Sequence, residues 1–86
     1  MKISVELTLM PLEDDYRTHI VNFITRLRNS NFHVEENALS TQIYGEYDEV
    51  MLFINNELKQ SFEASNAIIA NMKIVKSDRS NYEPRF

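Results

Sequence analysis

Residues 2 to 10 alternate between two faces, with Ile3, Val5, Leu7 and Leu9 on one side and Lys2, Ser4, Glu6, Thr8 and Met10 on the other. A period of two predicts a strand with one buried face. Pro11 lacks a backbone donor and ends the strand, and Glu13, Asp14 and Asp15 then place acidic groups where the positive pole of a helix favours them. The spacing changes at that point. Tyr16, Ile20, Phe23, Ile24 and Leu27 form a helical stripe, Arg26 and Arg28 suit the helix's negative pole, and Asn29-Ser30-Asn31 closes it.

Residues 32 to 35 predict a short second strand at a sheet edge, with Phe32 and Val34 inward and His33 and Glu35 outward. Beyond the polar turn at Glu36-Asn37, residues 39 to 46 predict a third strand. Leu39, Thr41, Ile43 and Gly45 share one of its faces; Ser40, Gln42, Tyr44 and Glu46 share the other. A second helix is expected from Tyr47, with Asp48 and Glu49 in its first turn and Val50, Phe53, Ile54, Leu58 and Phe62 packing on the sheet. A last strand over 67 to 76 turns Ile68, Ala70, Met72 and Ile74 inward and Ile69, Asn71, Lys73 and Val75 outward.

Strand, helix, strand, strand, helix, strand in this length predicts an α+β, ferredoxin-like βαββαβ sandwich. Right-handed crossovers put the first and third strands at the centre of a four-stranded antiparallel sheet, with both helices on one face. The domain is expected over residues 1–78, followed by a polar, aperiodic tail over 79–86.

The other sheet face is left open, and its content is mixed. Ser4, Glu6, Thr8, Gln42, Tyr44, Asn71 and Lys73 share it with Met10, Ile69 and Val75. That combination of polar groups with apolar area suits packing against a second sheet, and so an oligomer interface on this face is expected. Glu6 stands mid-strand, where a covering sheet would make an unpaired carboxylate costly. Lys73 is its structural partner; a bound cation or the exocyclic amine of an aminopyrimidine is the ligand alternative. Tyr44 can stack on a flat heterocycle or simply pack.

Composition narrows the partners. Eighty-six residues form one small domain, which buries only about 60–65% of the surface its unfolded chain exposes, so association with a second copy would help it. A net charge of −4 argues against nucleic acid and anionic membrane, which reward clusters of Lys and Arg. The absence of cysteine removes disulfides, thiolate nucleophiles and sulfur metal sites. Lys2 and Glu6 stand where a signal peptide would be apolar, and no apolar run approaches the roughly 20 residues needed to span a bilayer, so the chain reads as cytoplasmic. His19 and His33 lack the spacing of a shared metal site, so no metal is expected. No serine or threonine has a base at nucleophile spacing, and a single glycine rules out a phosphate loop. No catalytic residue and no cofactor are expected, and the chain reads as a binding protein rather than an enzyme.

Two segments carry a family resemblance: Val5-Glu6-Leu7-Thr8-Leu9-Met10-Pro11-Leu12, and Thr41-Gln42-Ile43-Tyr44-Gly45-Glu46-Tyr47-Asp48-Glu49-Val50. Together with Lys73-Ile74 they resemble the small single-domain thiamine-binding proteins related to YkoF. The resemblance implies a homodimer or homotetramer through stacked sheets, with non-catalytic binding of thiamine or its hydroxymethylpyrimidine part at that oligomer interface on the open face, for carriage or sensing. It implies Glu6, Thr8, Thr41, Glu46 and Asp48 as ligand-binding residues, to which the face argument adds Tyr44 and Lys73. The chain departs from the family pattern in Glu13-Asp14-Asp15, where glycine and small residues are expected, and in Asn31, where glycine is common. The alternative is a structural or regulatory protein-interaction module with no small ligand. An enzyme of the acylphosphatase kind would need an arginine in the loop after the first strand, and an RNA-binding sheet would need more aromatics than Tyr44.

Overall fold

The alternation of the first strand sets the architecture, because it commits one face of the sheet to the core. The computed structural model describes residues 1–85; Phe86, the last residue of the expected tail, lies outside the described residues. The elements are β1 (Lys2–Pro11), α1 (Tyr16–Arg28), β2 (His33–Glu36), β3 (Thr41–Glu46), α2 (Tyr47–Ala64) and β4 (Ile68–Val75). They form one antiparallel sheet in the order β2-β3-β1-β4. β1 pairs with β3 from Lys2↔Glu46 to Leu7↔Thr41 and with β4 from Ser4↔Val75 to Pro11↔Ile68, while β2 pairs with β3 from His33↔Tyr44 to Glu36↔Thr41. This is the ferredoxin-like arrangement that the element order predicts.

The core is drawn from the expected stripes: Ile3, Val5 and Leu7 of β1, Ile43 of β3, Phe23 and Leu27 of α1, and Val50 and Ile54 of α2. Each such side chain, fully buried, contributes roughly 1.5–3 kcal/mol of transfer free energy. The helices are fastened to each other by Arg26. Its guanidinium donates to the Glu57 carboxylate and, at 2.8 Å, to the Ser61 hydroxyl. Gly45 sits at a close approach between β3 and the first turn of α2. A Cβ there would stand 2.9 Å from Val50 Cγ2 and 3.1 Å from Phe32 Cδ1, so the position requires a residue without a side chain.

Several positions differ from the sequence expectation. Leu39 is 87% exposed and lies outside β3, because Asn37 Oδ1 accepts the N–H groups of Leu39 and Ser40 and holds residues 37–40 as a turn. In α2 the buried position near the carboxyl end is Ser61, drawn in by Arg26, and Phe62 is turned half outward. Tyr16 opens α1 but is exposed, so the buried stripe begins at Ile20. The first turn of α1 holds no acid: Asp15 is its N-cap residue, and Glu13 instead accepts hydrogen bonds from the Ser65 hydroxyl and, at 3.3 Å, from the Asn66 N–H. His19 packs 3.3 Å from that same carboxylate, with its side chain only 13% exposed. The hydrogen bond from the Ser65 hydroxyl holds the Glu13 carboxyl below its ordinary range. Met72 and Ile74 carry the expected inward parity yet are 41% and 43% exposed. α1 packs against β1 and α2 against β3, so the helix layer leaves β4 largely uncovered.

Candidate ligand site on the open sheet face

The even-numbered residues of β1 project away from the helices. Register then decides which groups meet. Glu6 stands between Gln42 of β3 and Lys73 of β4, and Ser4 stands between Tyr44 and Val75. These six side chains, with Arg79, line an open pocket of about 190 Å³. Its floor is part apolar, from Val75 and the Tyr44 ring, and part charged.

Glu6 is the acidic centre of the pocket. One carboxylate oxygen accepts a hydrogen bond from the Ser40 hydroxyl at 2.9 Å; the other lies 3.7 Å from Lys73 Nζ. Gln42 Nε2 donates to the same Ser40 hydroxyl at 2.6 Å, so a short relay fixes one side of the carboxylate. The lysine side is loose. With Lys73 73% exposed, the pair is of the surface kind, worth about 0–1 kcal/mol.

Tyr44 forms the aromatic wall. Its ring packs against His33 at 5.1 Å between centroids, tilted by 55°. Burial pushes the Tyr44 hydroxyl up from its ordinary range, and the neighbouring carboxylates of Glu35 and Asp78 add to the shift, so the phenol stays neutral and keeps its proton as a donor.

The segment after β4 closes one end of the pocket. The Ser4 hydroxyl donates to the Ser77 carbonyl at 2.7 Å and accepts the Arg79 N–H at 2.8 Å. Ser4 is thereby buried although it points to the open face, and Arg79 is brought to the rim. An adjoining groove of about 260 Å³ runs from Glu6 and Lys73 to Thr8, Asn71 and Met72.

The residues singled out in the sequence fall into two groups. Glu6, Tyr44 and Lys73 line one pocket, and Thr8 lies in the groove beside it. Glu46 follows Tyr44 on the same face, where the Met1 amine at 2.8 Å and Lys2 at 3.6 Å hold its carboxyl below the ordinary range. Thr41 and Asp48 do not line the pocket. Thr41 is on the helix side, buried beside Ile20, Phe23 and Ile24, and Asp48 is exposed in the first turn of α2. Sequence reasoning passed over Gln42, Ser4 and Arg79 as site residues. Gln42 could have been found from its register opposite Glu6; Arg79 has no such signal, because no periodicity links the tail to the sheet.

The arrangement can accept hydrogen bonds from an amine or hold a positive ring at Glu6, stack a flat ring on Tyr44, and exclude water along Val75. Among the described residues no group of three or more His, Cys, Asp or Glu is placed to hold a metal ion, and no helix is long and apolar enough to cross a membrane.

Solved structures share this fold. A protein of Streptococcus pneumoniae superposes with a TM-score of 0.84 at 26% identity, over 91% of this chain and 89% of its own. A Thermotoga maritima protein proposed to serve in thiamine biosynthesis or salvage superposes at 0.81 with 16% identity, over 90% of this chain and 85% of its own. A protein of Methanocaldococcus jannaschii, also of the same fold, gives 0.73 at 20% identity, over 95% and 84%. No curated protein matches the sequence. The sequence pattern of one family, described as thiamine-binding protein, matches residues 5–84, from Val5 within β1 through β4 and into the segment that follows it. The chain belongs to the thiamine-binding protein family.

Proposed function

We propose that the chain binds thiamine or a related pyrimidine, hydroxymethylpyrimidine included, at the Glu6 pocket, and carries or senses that ligand without transforming it. The observation that carries the reading is the Glu6 carboxylate: fixed on one side by Ser40, and on the other facing a lysine 3.7 Å away that an incoming amine or cation can displace at small cost. Family membership supports the ligand class, and the Thermotoga protein of the same fold points the same way. Tyr44 supplies a stacking surface for the planar ring. Thr8 and Glu46 flank the pocket on the same face.

The pocket is too open to dry a ligand by itself, so the reading includes a second copy whose sheet stacks on this face and roofs the site. Met10 and Ile69, 54% and 43% exposed beside it, provide the apolar area for that contact.

Calorimetry with thiamine and with hydroxymethylpyrimidine tests the reading. Heat is expected with at least one of them, and Glu6→Gln should weaken that binding by about 1–3 kcal/mol. No heat from either at millimolar concentration would sink the proposal, and unchanged affinity in Glu6→Gln would remove the carboxylate from the site.

A further inference from the structure

The chain carries a net charge of −4, yet the lining of the Glu6 pocket holds one acid and two bases, Lys73 and Arg79. This local excess of positive charge runs against the composition. Lys73 has a partner in the Glu6 carboxylate, 3.7 Å away, whereas Arg79 forms no ion pair among the described residues. Asp78, its neighbour in sequence, does not line the pocket, and its carboxylate accepts the Ser80 N–H at 2.9 Å. The position of Arg79 is set by its own backbone, whose N–H donates to the buried Ser4 hydroxyl at 2.8 Å. Ser4 and Glu6 are alternate residues of β1, so that anchor lies about 7 Å along the strand from the carboxylate. The pocket therefore has an acidic end and a basic end.

We propose that the pocket selects a phosphorylated ligand: an amine-bearing ring whose side arm ends in a phosphate monoester, held by Glu6 at the amine and by Lys73 and Arg79 at the phosphate. The inference rests on the assignment of the Glu6 pocket under the proposed function and names the chemical form that this pocket prefers. The argument is one of charge. An amine that takes Glu6 displaces Lys73, and the pocket then holds two cations whose one carboxylate is engaged by the ligand. A neutral alcohol leaves both cations without an anion, and thiamine itself adds a third positive charge. A phosphate monoester carries about −1.5 to −2 charges at pH 7 and three acceptor oxygens, enough to meet both. The guanidinium fork matches phosphate geometry, while Lys73 serves as a point charge on a flexible stem. Tyr44, the stacking surface for the ring, stands opposite Ser4 on β3, within the span between the two ends.

Calorimetry on the native chain compares hydroxymethylpyrimidine, thiamine and the phosphate monoester of each. Each ester is expected to bind about tenfold or more tightly than its alcohol, the gain that a charge-assisted contact supplies. Raising the salt concentration should narrow that ratio. Arg79→Gln keeps the backbone N–H that Ser4 accepts, so circular dichroism should stay unchanged while the ratio of ester to alcohol affinity falls toward one. Lys73→Gln should lower the same ratio. Heat from the alcohols with esters no tighter would overturn this inference and leave the Glu6 assignment standing, as would a ratio unmoved by both variants. Inorganic phosphate that binds as tightly as the esters would overturn the two-ended site. Absence of heat from all four ligands would overturn the inference and the proposed function together.

Discussion

The two margins of the sheet are built in opposite ways. On the β2 side the short strand is locked from several directions: the Arg28 guanidinium grips the Glu36 carboxylate with contacts of 2.6 and 2.7 Å, Phe32 packs on Phe53 of α2 at 5.2 Å, and His33 lies on Tyr44. On the β4 side the strand is held by its ladder to β1 and by the Ser4 contacts that follow it, with its apolar side chains half in solvent. The difference teaches that packing is concentrated where β3 meets the helices, whereas the β4 margin rests on its ladder to β1 and stays half open to solvent.

The largest test of that contrast is a pair of truncations. Ile43→Ala, at a fully buried site between β1 and β2, is expected to cost about 2–5 kcal/mol in urea denaturation. Ile74→Ala, 43% exposed on β4, should cost less than about 1 kcal/mol in the isolated monomer. Equal losses would break the comparison.

Ser4→Ala is expected to have an intermediate effect. It removes the hydroxyl that serves both the Ser77 carbonyl and the Arg79 N–H, at a cost of about 1–2 kcal/mol. Hydrogen exchange at the Arg79 amide should quicken, while the amides of β2 keep their protection. Exchange rising equally at both margins would show that the two are one cooperative unit.

The smallest effect sharpens the β2 side. Arg28 holds the Glu36 carboxyl below its ordinary 4.5, so in the folded chain this group keeps its charge to lower pH than in the unfolded one. Its contribution is therefore complete above the unfolded value and fades as pH falls through the lowered folded one. Thermal melting followed from pH 6 to pH 3 should decline less steeply in Glu36→Gln than in the native chain. Identical slopes would show that the exposed ion pair does not help to seal this edge.

Much of this fold was legible because β1 obeys a period of two and the helices a period near four, and periodicity survives without knowledge of neighbours. Where a side chain of one element recruits a residue of another, the pattern failed. Ser61 is buried because Arg26 reaches it from α1, and Leu39 is exposed because Asn37 caps its own turn. In the candidate site, strand parity alone put Glu6, Tyr44 and Lys73 on one face, and antiparallel register brought them to one pocket. Thr41 and Asp48 came from motif likeness, which preserves order along the chain but does not say which side of a sheet a residue serves. Arg79 was invisible because only the folded contact with Ser4 places it.

The interleaving of β1 has a consequence for how such a protein changes over time. Odd positions answer to the interior and even ones mostly to the surface, so the two sets of demands are carried by different residues of one short segment. Variation confined to positions 6 and 8 and their cross-strand neighbours can therefore reshape the open face while the scaffold is left intact, whereas a one-residue insertion in the same segment would exchange the two faces and forfeit both.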